Sequence, residues 1–243
     1  MSSSSSLLAL DAVGLTVDGR AILQGISVHS DARRIAVLGR NGSGKTTLAR
    51  LIAGLTVPTT GRVRVADVNV AQDRAAALRV VGILFQNPDH QIIFPTVGEE
   101  LAFGLLQMGR TKVQAAEVVA ETLAAFGKSH WQAAAVQTLS QGQRQLVCLM
   151  SIIAMGPRLI LLDEPFAGLD IPTAMHLSRV LNKLEAGIVH ITHDPRTIVD
   201  YDHALWLEAG RLEAQGPAAG IARDFEAHMR QIGARDDLAH LSG

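Results

Sequence analysis

Gly39, Arg40, Asn41, Gly42, Ser43, Gly44, Lys45 and Thr46 fit the pattern G-x-x-x-x-G-K-[ST], between an apolar run, Ile35 to Leu38, and a helix-forming stretch, Lys45 to Leu55. No other segment restricts the fold as much. A strand, a glycine-rich loop and a helix in that order make a cradle for phosphate. Glycines let the backbone wrap the anion, and the amides at the helix start point at it with roughly +0.5 charge. Lys45 adds a full positive charge, Thr46 a hydroxyl that can coordinate Mg²⁺, and Thr47 a donor on the α-phosphate side. Such a unit belongs to an open α/β sheet that holds its ligand beyond the carboxyl ends of the strands.

The rest of the chain fits that architecture. Val80 to Phe85, Leu159 to Leu162 and Ile188 to Thr192 are short apolar runs that predict buried strands, whereas Thr111 to Gly127, Gln143 to Met155 and Thr173 to Glu185 carry helical spacing. Strand and helix alternate at both ends, which predicts an α/β fold: a phosphate-loop nucleotide-binding core with a mostly parallel sheet and a helical lobe inserted in it. We place the core at 7–86 and 156–217, the lobe at 87–155, a flexible extension at 1–6 and a helical tail at 218–243. Leu8 to His29, turning at Asp18 and Gly19, predicts an antiparallel hairpin.

The run from Leu159 ends in two carboxylates. Asp163, at the strand end, can hold Mg²⁺ through water, and Glu164, pointing the other way, can polarise an attacking water. In isolation the pair reads as a solvated strand end; beside a phosphate loop it reads as hydrolytic machinery.

Composition narrows the partners. The 22 basic and 23 acidic residues give a net charge of −1, so there is no global attraction for nucleic acid or anionic membrane. Cys148 is the single cysteine and can form no internal disulfide, which favours a reducing compartment such as the cytoplasm. No run reaches the roughly 20 apolar residues of a membrane span.

Leu139, Ser140, Gln141, Gly142 and Gln143 resemble the LSGGQ signature of ATP-binding-cassette ATPases, and the resemblance extends along nearly the whole chain. Gln86 matches the Q-loop, Ala167 to Asp170 the D-loop and His193 the switch histidine. The resemblance implies an ATP hydrolase that uses Mg²⁺ held by Thr46, Gln86 and Asp163. Glu164 would activate the water, His193 would stabilise the transferring phosphoryl group, and Gln86 would link the site to the lobe. It also implies a second ATPase subunit, with a homodimer expected, in which Ser140 and Gly142 of one chain meet the γ-phosphate held by the other. Read alone, Ser140 is an N-cap. Three positions depart from the family pattern. Val17 stands where an aromatic residue usually stacks on adenine, Gln141 replaces the second signature glycine, and Leu146 replaces a common arginine.

The stretch Phe85 to Gly104 resembles the energy-coupling-factor branch, whose ATPases drive a transmembrane coupling protein and a substrate-binding membrane subunit from the cytoplasmic face. Within that branch the signature region is most similar to the ATPases of biotin importers, with cobalt and nickel importers as the alternative. A cytosolic cassette acting on nucleic acid or ribosomes is disfavoured by the single cassette and the absence of sustained heptads. A phosphate-loop kinase would need neither a signature helix nor a switch histidine.

Overall fold

Asp18 and Gly19, both at positive φ (48° and 76°), turn the chain back on itself, so that β1 (Leu8–Val17) pairs antiparallel with β2 (Arg20–Ser30) in the hairpin the sequence predicts. The computed structural model describes residues 6–234; positions 1–5 of the expected extension and 235–243 of the expected tail lie outside the described residues. After the hairpin come β3 (Arg34–Leu38), α1 (Lys45–Ile52), β4 (Thr60–Val65), β5 (Val68–Asn69), α2 (Arg74–Val80) and β6 (Val81–Leu84). The helical lobe contributes α3 (Val97–Gln107), α4 (Lys112–Ala125) and α5 (Gln141–Ala154). The chain then returns through β7 (Leu159–Asp163), α6 (Ile171–Asn182), β8 (Gly187–Thr192), β9 (His203–Glu208), β10 (Arg211–Gly216) and α7 (Ala218–Ala234).

Two sheets result. A four-stranded antiparallel sheet has the order β2-β1-β4-β5, and a six-stranded sheet has the order β10-β9-β3-β8-β7-β6. In the larger sheet every neighbouring pair is parallel except β9 with β10. Leu10, Ile26 and Val63 from the small sheet, Leu48, Leu51 and Ile52 from α1, and Val37, Leu161 and Val189 from the large one form one buried cluster, so α1 is packed between the sheets. The opposite face of the large sheet is covered by α5 and α6, through Leu149, Ile152, Leu177 and Leu181. A separate cluster from Val97 to Met150 holds the lobe together. Burying strands on both faces requires continuous apolar runs, which is why β3, β7 and β8 were legible as such.

Several boundaries differ from expectation. The helix expected at Lys45 to Leu55 ends at Ile52, followed by Gly54 at φ 69°. Val80 closes α2 and does not open the strand that follows. The helix expected from Thr173 begins at Ile171, because the Asp170 side chain accepts the Thr173 N–H at 2.8 Å and Pro172 occupies the first turn. Cys148 is fully buried and its thiol is pushed up to about 12 by that burial, so it packs as an apolar residue.

His190 on β8 is 1% exposed, lies between the rings of Phe166 and Tyr201 and is pulled down to about 4 by burial. It is therefore neutral in the native state, while the unfolded chain takes up that proton near pH 6.5. Stability should be full above that value and fall by about 3 kcal/mol as pH drops from 6.5 to 4. Urea midpoints across that range should show this fall for the native chain, and His190→Val should lack its share of the slope.

Candidate functional site

Because β3, β8, β7 and β6 lie side by side and parallel, the loops leaving their carboxyl ends emerge along one edge. The first is the glycine-rich loop. A Cβ on Gly39 would sit 2.4 Å from both the Leu207 carbonyl oxygen and the Ser43 hydroxyl, so only glycine fits there. Gly44 adopts φ 101° and caps α1 without a side-chain acceptor, which leaves the first amides of the helix available to an anion. Lys45 is buried, and its ammonium donates to the carbonyls of Gly39 (2.7 Å) and Arg40 (2.9 Å).

Around this loop is a cleft of about 490 Å³ lined by Asn41, Gly42, Gly44, Lys45, Thr46 and Thr47, and by Gln86, Asp163, Glu164 and His193 from the neighbouring loops. Gly39, Arg40 and Ser43 belong to the same loop but do not line the cleft. Asp163 is 7% exposed; burial raises its carboxyl above the usual range, against the Thr46 hydroxyl that hydrogen-bonds to it and the nearby Lys45 charge. Burial likewise lowers Lys45 below an ordinary lysine, opposed by Glu164 and Asp163.

Glu164 has φ 48°, a left-handed conformation that costs a non-glycine residue of order 1–3 kcal/mol. Its N–H donates to the Ile191 carbonyl at 3.0 Å, which ties it to β8. One carboxylate oxygen accepts the His193 backbone N–H (2.9 Å) and lies 2.6 Å from His193 Nδ1, while the other accepts the Thr192 hydroxyl at 3.3 Å. The strained turn thus aims the carboxylate into the cleft at the exposed histidine. Gln86 is linked to the lobe through its neighbour: the Phe85 N–H donates to the Gln91 side chain (3.1 Å), and the Phe85 carbonyl accepts from buried Gln145 (3.3 Å).

The signature residues are elsewhere. Ser140 caps α5 in a reciprocal capping box with Gln143, and neither Ser140 nor Gly142 lines the phosphate cleft of its own chain. The Gln141 amide nitrogen lies 3.1 Å from where a Cβ on Gly168 would stand, so this departure sets the first turn of α5 close against the D-loop. Leu146 is 8% exposed and packs in the lobe cluster. Val17 stands at the end of β1, 47% exposed and outside the residues that line the cleft, whereas Ile22 of β2 lines it. The motifs gave no sign of Ile22; the hairpin register is what carries it to the cleft.

The sequence profile of the ABC transporter family matches residues 23–167. The chain belongs to the ABC transporter ATPase family. The ATPase is 49% identical over 220 residues to the biotin transport ATP-binding protein BioM of Rhodobacter capsulatus, covering 90% of this chain and 94% of that one. It is 36% identical over 217 residues to the energy-coupling factor transporter ATP-binding protein EcfA of Methanothermobacter thermautotrophicus, covering 86% of this chain and 70% of the relative. Among solved structures, CbiO1 from Clostridium perfringens, part of the ABC transporter complex CbiONQ, superimposes with a TM-score of 0.79 at 26% identity over 96% of each chain. The ATPase therefore has the fold and the chemistry of an ATP-hydrolysing transport subunit. Among the described residues no helix is long and apolar enough to cross a membrane.

Proposed function

We propose that this ATPase powers import of biotin through membrane subunits of the energy-coupling-factor type, docked on their cytoplasmic face. The observation that carries the cargo is the 49% identity over 90% of the chain to a biotin transport ATPase.

In this reading the loop amides and Lys45 hold the β- and γ-phosphates of ATP, and Ile22 supports the adenine side. The all-oxygen set of the Thr46 hydroxyl, the Gln86 amide and the buried Asp163 carboxylate suits Mg²⁺, and a carboxylate whose ionisation is opposed by burial fits a site for a cation. When bound, Mg²⁺ supplies charge neutralisation on the phosphate oxygens. Glu164 takes a proton from the attacking water, the bond to the γ-phosphorus forms in line, and the bond to the ADP oxygen breaks. His193 donates to the γ-phosphate oxygens once the nucleotide draws it from Glu164. Ser140 and Gly142 of a second copy close the site from the other side, and Asp170, which caps α6, holds the D-loop beside that interface.

A groove lined by Ile92, Ile93, Phe94 and Val136, with the Asp89 to Arg144 ion pair (2.9 Å) at its edge, receives a cytoplasmic segment of the membrane coupling subunit. Its support is continuity: Gln91, which precedes the groove residue Ile92 in the chain, holds the backbone next to Gln86, so pressure on the groove reaches the phosphate cleft.

The test is uptake of labelled biotin at low external concentration in cells lacking the chain. The wild-type chain should restore uptake and Glu164→Gln should leave it at background. Restoration of cobalt or nickel uptake without biotin uptake would overturn the assigned cargo.

A further inference from the structure

Two adjoining hollows open along the seam between the helical lobe and α6, and they share His176. One, about 330 Å³, has Phe126 after α4 as its apolar wall and His176, Arg179 and Lys183 from α6 opposite. The other, about 250 Å³, is walled by Trp131, whose ring lies 4.7 Å from the Lys128 ammonium. His176 and Arg179 are three apart on α6, and Lys183, the residue that caps its end, follows four later, so three basic groups line up along the seam. Neither hollow has an acidic residue in its lining. Among the described residues none of these four basic groups is in an ion pair, although the chain carries 23 acidic residues. The Nε2 of His176 is shielded from solvent and has no hydrogen-bond partner, an arrangement that native structures rarely leave without a ligand or water.

The geometry points to a binding site for a small amphipathic carboxylate: its apolar body against Phe126 and Trp131, its carboxylate facing His176, Arg179 and Lys183. Aromatic walls with a few convergent polar groups, in a combined volume within the range of about 300–1,000 Å³, are the features of small-molecule pockets. Arginine offers a planar fork that matches a carboxylate. Since one wall belongs to the lobe and the other to the core, an occupant ties the two together and favours the arrangement described here over any in which the lobe has turned. The carboxylate therefore slows turnover from outside the phosphate cleft of its own chain, in a hollow that Gly142 and Gln143 of the signature also line.

The test uses the intact chain without nucleotide. Trp131 and Trp206 are its two tryptophans, so titration with octanoate should change the emission saturably in the wild type and in Trp206→Phe, but not in Trp131→Phe. The double variant Arg179→Glu with Lys183→Glu, both at exposed positions, should bind at least about tenfold more weakly while keeping its basal ATP turnover; octanol, which has the same chain without the charge, should bind as weakly. Biotin is itself a carboxylate on an apolar body. Displacement of octanoate by biotin would support the site with the vitamin as its source, and octanoate binding without displacement would support it with fatty acids as its source. The absence of any saturable response, a response that survives in Trp131→Phe, equal binding of octanol, or unchanged affinity in the charge-reversed variant would each overturn the proposal. The readout needs no hydrolysis, so its failure leaves the transport reading untouched.

Discussion

Glu164→Gln is expected to lower ATP turnover by roughly 10²- to 10⁴-fold, the usual contribution of a positioned general base, while ATP stays bound. The argument rests on how the residue is held. Its left-handed backbone, at φ 48°, is fixed by the N–H bond to Ile191, and its carboxylate is held by the His193 N–H and the Thr192 hydroxyl. Glutamine has the same shape and retains an oxygen for the His193 N–H, so the loop geometry should survive. What disappears is the ability to accept a proton from water. Single-turnover hydrolysis and equilibrium ATP binding, measured on the same preparation, separate the two effects. Wild-type turnover in the variant would remove Glu164 from the role of base.

Lys45→Ala should act on a different quantity. Truncating one partner of a buried, hydrogen-bonded charge pair costs about 2–5 kcal/mol, so the Kd for ATP should rise by about 30- to 5,000-fold. The buried ammonium also satisfies the Gly39 carbonyl, whereas the Arg40 carbonyl keeps the Ser43 N–H, and leaving one buried acceptor unpaired costs about 1–3 kcal/mol of stability. A nucleotide-free thermal melt measures that second loss independently. Unchanged ATP affinity in a folded variant would contradict the phosphate-loop assignment.

These two residues could be read from sequence because their chemistry is local. A loop that wraps phosphate needs its glycines and lysine at fixed spacing, and a carboxylate pair ending an apolar run marks a strand terminus. The parallel order of β3, β8, β7 and β6 then brings the motifs to one edge. Elements whose logic lies in distant partners were not legible. α3 was not singled out within the expected helical lobe because it carries Gly98 and Gly104 in its interior; Gly104 is there because a Cβ would stand 2.4 Å from the Met155 sulfur. Strands β4 and β5 are short, and β4 alternates arginines with valines, so they lacked an apolar run to announce them. The family pattern points to Val17 as the position that usually stacks on adenine, whereas the residue of the hairpin that lines the cleft is Ile22. The approach of Gln141, the first residue of α5, to Gly168 in the D-loop is set by tertiary packing, and no local pattern encodes it.

In the proposed function two chains share each nucleotide, one through Lys45 and the other through Ser140. Complementation between defective chains tests it most directly. Lys45→Ala and Ser140→Arg should each be inactive alone, yet a mixture should regain hydrolysis, because one site of the mixed dimer combines an intact phosphate loop with an intact signature. Full activity of Ser140→Arg alone, or an inactive mixture in which native mass spectrometry shows mixed dimers, would contradict the account.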